Sequence, residues 1–416
     1  MEKFINHKMK TTSIGLIPED WEAKSLSQIG AFSKGKGVTR ANAQSGDIPC
    51  IRYGEIYTSH NDYIRSFYSH ISPEVAATAT KLKKGDVLFA GSGETKEEIG
   101  KAVAFLGEED AYAGGDIIIL SPNEGASSKY LGYVLNAATA VNQKSSMGQG
   151  DAVVHIHAKE LGDVVIPFPK FDEQEKIADA LSGVDDMIGA LDEAIAKKRQ
   201  IKDGLMQQLL TGKTRLPGFN GEWEDIPFKS IYKYAKEGGT PSTGVAEYYN
   251  PAIVPFAKIE DLKDKYLTRV ESYISESGVE HSSAWLIPVN SVILSNGATL
   301  GEVSINKITT TTKQGILGII LKEDFSPEFI YYLFKGRSFR REMEKVTTHG
   351  TMDCAYLKDL NTISLRIPPL TEQEAIASVI SSVDKKIVGL ESQRDKYALI
   401  KQGMMQELLT GKTRLI

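Results

Sequence analysis

Cysteine is nearly absent: only Cys50 and Cys354 occur in 416 residues. Two thiols so far apart give neither a disulfide framework nor a thiolate metal site, and point to a reducing compartment such as the cytoplasm. Long apolar runs are also missing. Nothing approaches the roughly 18–20 residues of a membrane span, and the N-terminus MEKFINHKMK lacks a signal-peptide core. Excess positive charge is lacking too. The formal net charge is −5 and no segment forms a basic tail, so contact with nucleic acid must come from local patches.

Catalytic signatures are equally scarce. TGKT occurs twice, yet the first glycine of G-x-x-x-x-G-K-[ST] would fall at Gln207 and Gln406, and helical patterns rather than strands precede it. Gly212 and Gly411 fit better as residues just past helix C-termini, with Lys213 and Lys412 near the negative dipole end. GSGET at Gly91 has Lys96 where a dinucleotide loop needs its third glycine. NPAI at Asn250 lacks the second proline of an amino-methyltransferase motif. His155 and His157 are spaced to face one side of a strand, but no cysteine or carboxylate cluster completes a metal set, and the equivalent stretch carries Ala355-Tyr356. No metal, cofactor or catalytic residue is expected.

What is present is repetition. LLTGKTRL stands at Leu209–Leu216 and again at Leu408–Leu415, a shift of 199 residues. At that shift DEQEKIADALSGVDDMI from Asp172 overlies TEQEAIASVISSVDKKI from Thr371, and SKYLGYVLNA from Ser128 overlies PEFIYYLFKG from Pro327. GDVLFAGSGET matches NSVILSNGAT after a small gap, and KTTSIGLIPEDWE from Lys10 parallels KTRLPGFNGEWE from Lys213. The order is therefore variable region (1–171), helix (172–212), variable region (213–370), helix (371–412). Apolar runs at Asp86–Ala90, Ile117–Leu120, Val292–Leu294 and Ile316–Leu321 read as strands, and Tyr130–Asn136 and Phe329–Phe334 as short helices.

Asp172 with Glu175, and Thr371 with Glu374, have capping-box spacing. About 40 helical residues at ~1.5 Å each make a rod of roughly 60 Å. Ile177, Leu181, Val184, Ile188, Leu191, Ile195, Leu205 and Leu209 form a stripe at alternating spacings of four and three, interrupted by Lys198 and Lys202. Ile376, Ile380, Val383, Ile387, Leu390, Tyr397, Met404 and Leu408 form its repeat, interrupted by Arg394 and Lys401. The expected fold is α+β: two strand-rich globular domains separated by two long helices in an antiparallel coiled coil, related by a pseudo-twofold repeat. Antiparallel pairing lets the second variable region leave and return at one end of the rod.

Candidate nucleic-acid contacts lie in basic, glycine-containing segments. SKGKGVTR supplies Lys34, Lys36 and Arg40, followed by Arg52; KEGGTPS supplies Lys236; FKGRSFRR supplies Lys335, Arg337, Arg340 and Arg341. Each has the alternative of being ordinary solvated charge.

These features together resemble the specificity subunit of type I restriction–modification systems. IGLIPEDWE, GGTPSTGVAEYYNPAIVPF, SNGATLGEV, IPFPKFDEQEKIADAL with RIPPLTEQEAIASVI, and both LLTGKTRL copies carry the likeness across nearly the whole chain. The first domain departs from the G-G-T-P turn, showing KGKGVTR instead. The resemblance implies two target-recognition domains reading the halves of a bipartite, asymmetric site in double-stranded DNA. It further implies helices that set the unread spacer and dock two adenine-methyltransferase subunits, with motor-nuclease subunits completing an ATP-dependent restriction enzyme. The chain itself would not be catalytic. The competing readings are a stand-alone methyltransferase with its own recognition domain, and a coiled-coil adaptor that does not bind DNA.

Overall fold

The computed structural model describes residues 8–150, 152–297, 299–350 and 353–416, so most of the N-terminal stretch inspected for a signal core lies outside it. Among the described residues, no helix is long and apolar enough to cross a membrane. The chain divides into two compact units, residues 1–192 with 392–416, and residues 193–391. Each contains one strand-rich domain and portions of both long helices, Phe171–Leu209 and Leu370–Leu408.

In the first unit an antiparallel sheet runs in the order Ala102–Ala104, Val87–Ala90, Ile117–Pro122, Gly30–Lys34. The apolar run Val87–Ala90 is buried on both faces, as continuous hydrophobic strands are. Strand alternation sends Val87 and Phe89 into a core with Ile118, Leu120, Ile177 and Leu181, while Leu88 and Ala90 join Ile117, Ile119 and Val103 on the other side. A smaller sheet contains the parallel pair Ile48–Ile51 and Tyr112–Ala113. The second unit repeats this plan. Tyr232–Glu237, Ile316–Leu321, Val292–Ser295 and Val303–Asn306 are antiparallel neighbours, with Tyr266–Leu267 added at the edge, and Val254–Ala257 pairs in parallel with Thr311–Thr312.

Within each unit the helix segments pack against one another and run in opposite directions. In the second unit Arg199 pairs with Glu391 at 2.6 Å and Lys202 with Asp384 at 2.6 Å, and Ile195 packs with Val383 and Ile387. In the first, Arg394 reaches Asp192 at 3.6 Å and Lys401 reaches Asp185 at 2.8 Å, while Leu408 and Leu409 join the core of Ile177 and Leu181. Lys202 and Lys401, which interrupt the apolar stripe in sequence, are thus helix-to-helix ion-pair partners. Tyr133 donates to Asp185, and its repeat Tyr332 donates to Asp384, each at 2.6 Å, which fastens a domain helix to the same carboxylates.

The duplicated octamer has a related role. Arg414 closes a two-bonded pair onto Glu173 at 2.5 and 2.7 Å, and the Trp21 indole donates to the same carboxylate at 3.0 Å. Arg215 does likewise with Glu372 at 2.5 and 2.6 Å, joined by Trp223 at 3.2 Å. The tail of one long helix is therefore locked to the first turn of the other in each unit.

The capping boxes differ from expectation. Helix begins at Phe171 and Leu370, so Asp172 and Thr371 lie inside the first turn; Lys170 and Pro369 carbonyls accept the first amide bonds. The neighbouring glutamines do the tethering instead. Gln174 accepts from the Ser127 amide and donates to Gly125 and Pro169 carbonyls, and Gln373 repeats this with Ser326, Asp324 and Pro368.

Gly212 and Gly411 end the helices with φ of 67° and 70°, the left-handed conformation that favours glycine. A β-carbon on Gly212 would meet only the Trp223 ring at 3.4 Å, whereas one on Gly411 would overlap Pro18. Gly212→Ala should therefore cost about 1 kcal/mol of stability. Gly411→Ala should cost about 1–3 kcal/mol more from overpacking. Urea unfolding of the two variants checks the order; equal losses would refute it.

Candidate nucleic-acid interface

In the first domain, four glycine-containing segments meet at one end of the larger sheet. Strand Gly30–Lys34 runs out into Gly35, whose amide donates to the Ile117 carbonyl at 2.9 Å. Strand Val87–Ala90 runs out into Gly91, whose amide donates to Asp116 at 2.8 Å. Ser92–Gly93 pairs with Val154–His155, the Ile156 amide donates to Gly91, and Gln149 bridges His155. The segments around 34–40, 91–93, 113–116, 149–150 and 152–157 therefore share one surface.

The second domain rebuilds that end with the same backbone bonds. Gly238 donates to Ile316 at 2.9 Å, Gly239 to Thr312 at 3.0 Å, and Asn296 to Gly315 at 2.9 Å. Gly297 bridges Cys354, Thr348 bridges Cys354, and Ala355 donates to Asn296. This corrects the apparent departure of KGKGVTR from the G-G-T-P turn. Gly35 holds the place of Gly238, and the Lys36 amide bonds to Ala113 as Gly239 bonds to Thr312. A β-carbon on Gly35 would overlap the Gly114 carbonyl oxygen, and one on Gly238 the Thr312 carbonyl oxygen, so glycine is required by close approach at both. Of the four turn positions only this first glycine is shared, Lys36, Gly37 and Val38 standing where the second domain has Gly239, Thr240 and Pro241, so the sequence alone hides the common turn.

Side chains on this shared frame are unlike. The first domain shows exposed Lys34, Lys36 and Arg40, with Val153, His155 and His157 beside them. His155 Nδ1 lies 2.9 Å from the Ser92 hydroxyl. The second domain has half-buried Lys236 and, where His157 stands in the first, exposed Tyr356. Glu237 accepts from the Gly315 amide at 2.6 Å. Arg52 is turned to another purpose: its guanidinium bonds Glu55 at 3.1 Å and the Ser69 hydroxyl at 3.1 Å, neutralising a buried carboxylate. Lys335 pairs with Glu302 at 2.7 Å. Arg337, Arg340 and Arg341 are exposed on the helix Arg337–Lys345, and Arg340 contacts the Gly301 carbonyl at 3.5 Å.

Of the predicted seam residues, Ile177 and Leu181 pack into the first domain's core with Leu408 and Leu409, Ile376 and Ile380 into the second's with Leu209 and Leu210, and Val383, Ile387 and Leu390 against Ile195. Ile177, Leu181 and Leu191 are buried in the first unit, and Ile376, Ile380, Val383 and Ile387 in the second; Val184, Ile188 and Leu390 are half-buried. Exposed aromatics were missed. Tyr53, Tyr68 and Tyr356 show 40%, 53% and 47% of their surface, and such rings can stack or pack against a partner. In sequence, Tyr356 stands out only as the counterpart of His157, and Tyr53 only as the neighbour of Arg52.

Comparison with known proteins gives a consistent picture. The family model described as type I restriction modification DNA specificity domain matches twice, over residues 18–202 and 220–398. The putative type I restriction enzyme MjaX specificity subunit of Methanocaldococcus jannaschii is 26% identical, with 100% of this chain and 99% of that protein covered. The crystal structure of a type I restriction–modification S subunit from M. genitalium superposes with a TM-score of 0.59 at 14% identity, covering 97% of this chain and 99% of that one. A chain from a study of complex assembly and conformational transition of the type I R-M system superposes with a TM-score of 0.60 at 16% identity, over 95% of this chain and 99% of that one.

The glycine requirement at the sheet end is testable. Gly35→Ala and Gly238→Ala should each cost about 1–3 kcal/mol, because a backbone oxygen must move. Gly54→Ala, in a helix with open space around it, should be neutral or stabilising by up to about 1 kcal/mol. Thermal melts of the three variants decide it, and a Gly54→Ala loss as large as the others would sink the argument.

Proposed function

Because the chain belongs to the type I restriction–modification DNA specificity family, we propose that its two strand-rich domains each read one half of a bipartite, asymmetric DNA sequence. As a specificity subunit it recognises DNA target sites within a type I restriction–modification complex and is a recognition component, not a catalytic one. In this reading residues 1–171 and 213–370 are the two readers. The helical segments 172–212 and 371–412 fix the unread spacer and dock two adenine-methyltransferase subunits, motor-nuclease subunits completing the restriction enzyme in the cytoplasm.

The observation that carries the reading is the sheet end built twice with the same backbone bonds and different side chains. Sequence in duplex DNA is read by side chains reaching base edges, while the backbone is held by sequence-independent contacts. A repeated frame with dissimilar loops suits two different half-sites. The apolar side chains Val388 and Leu399, 62% and 69% exposed on a long helix, suit a helix surface that another subunit covers. The low charge of the chain is compatible with DNA binding when partner subunits add phosphate contacts and base flipping is left to them.

Single-molecule methylome sequencing of cells carrying this chain and its methyltransferase should reveal one gapped, asymmetric motif. Exchanging residues 217–370 for the matching domain of another family member should change one half of that motif and leave the other half and the gap intact. Simultaneous change of both halves would refute modular reading.

A further inference from the structure

We infer that the helix Arg337–Lys345 is a one-sided phosphate clamp: its arginines grip the DNA backbone beside the half-site read by the second domain, and the first domain has no counterpart. The inference rests on the proposed DNA-reading role of the domains. Phe339 and Met343 anchor the helix in the domain core, which leaves Arg337, Arg340 and Arg341 outward. Among the described residues Arg337 and Arg341 have no salt-bridge partner, while the nearby Lys335 and Lys345 are taken by Glu302 and Glu342. Three guanidinium groups therefore remain available in a chain whose net charge is −5.

Position supports the assignment. Arg340 touches the Gly301 carbonyl and Lys335 touches Glu302, the residues that follow the Asn296–Gly297 loop of the sheet end. The helix thus flanks the reading surface. Arg337 and Arg340 line a cleft of about 260 Å³ with the hydroxyl-bearing Ser338 and Thr211; Asp203 is its one carboxylate, and Arg341 lies outside it. The equivalent helix of the first domain, Ala138–Met147, reads ATAVNQKSSM. Its single cation, Lys144, is buried and donates to Gly100 and Leu135 carbonyls at 2.6 and 2.8 Å. Nothing basic is left there to face DNA.

Contacts to phosphate and contacts to bases respond differently to substitution. Phosphate contacts release counterions, so each one adds about 0.9 to the slope of log affinity against log salt. Lysine preserves such a contact, but it loses the two-pronged geometry by which arginine reads guanine.

The test uses the assembled complex with its methyltransferase subunits and two labelled duplexes, one with the methylated motif and one without. Replacing Arg337, Arg340 and Arg341 together by Gln should weaken binding to both duplexes alike and flatten the salt slope by about 2–3. The triple Lys variant should retain most of the wild-type slope, and the methylated sequence should stay the same in both. The single variant Arg341→Gln, expected to flatten the slope by about 0.9, serves if the triple variant does not fold. An unchanged slope, or a Lys variant as impaired as the Gln variant with an altered motif, overturns the clamp. A wild-type complex that treats the two duplexes alike overturns the reading function instead, and the slopes still judge the arginines.

Discussion

Closure of each unit depends on the arginine–glutamate pair at its helix junction. Arg414 and Glu173 are almost fully withdrawn from water, with side-chain exposures of 5% and 9%. Two charges so desolvated are tolerable only when the geometry is good and the remaining lone pairs are used. Both conditions are met: the guanidinium makes two bonds to the carboxylate, and the Trp21 indole supplies a third. Breaking such a pair strands a buried charge, at a cost on the order of 3–5 kcal/mol. The pair joins residues 241 apart in sequence, so the first unit is complete only when the last turn of the chain has returned to it.

That constraint separates two jobs. The helix junctions, with Tyr133–Asp185 and Tyr332–Asp384 behind them, hold the domains in a frame that is nearly the same in both copies. The far end of each sheet is held by its own backbone, through Gly35 or Gly238 and the bonds around them. Because main-chain groups carry the local structure there, side chains at the loop tips are released from structural duty. Lys36 can stand where the second domain has Gly239, and His157 where it has Tyr356, without dismantling the surface.

Much of this was legible in the chain. The 199-residue repeat, the two long helices and the glycine stops follow from local periodicity and from residues whose backbone preferences are strong. The strands were found because Val87–Ala90 and Ile316–Leu321 are apolar throughout. Much of what escaped depends on how the fold, rather than the local pattern, places the partners. Lys202 and Lys401 look like flaws in an apolar stripe until Asp384 and Asp185 are brought beside them. Asp172 and Thr371 have the right spacing for caps, but the preceding proline-containing segments start the helix earlier and give the tethering to glutamine. Arg52 looked like a free cation because its partner Glu55 is buried by the fold, not by the local sequence. In KGKGVTR one retained glycine was too little signal to reveal a shared turn.

The divergence of the two domains extends below their surfaces. Asp62 of the first domain pairs with Lys401 at 2.6 Å, and burial nevertheless raises its carboxyl above the usual range. The matching place in the second domain is Lys265, where burial lowers the ammonium and the Tyr332 and Tyr266 rings lie 4.6 and 5.1 Å from it. Opposite charges thus face the same helix arrangement, one met by a lysine and the other by aromatic faces, which attract cations through their quadrupole. The helix residues Lys401 and Lys202, with Asp185 and Asp384, are the same in both. A frame that accommodates either charge beneath a domain can accept domains of differing composition. The clamp on Arg337–Lys345 is the outward expression of that freedom, since the matching helix Ala138–Met147 carries no exposed cation where this one carries three arginines.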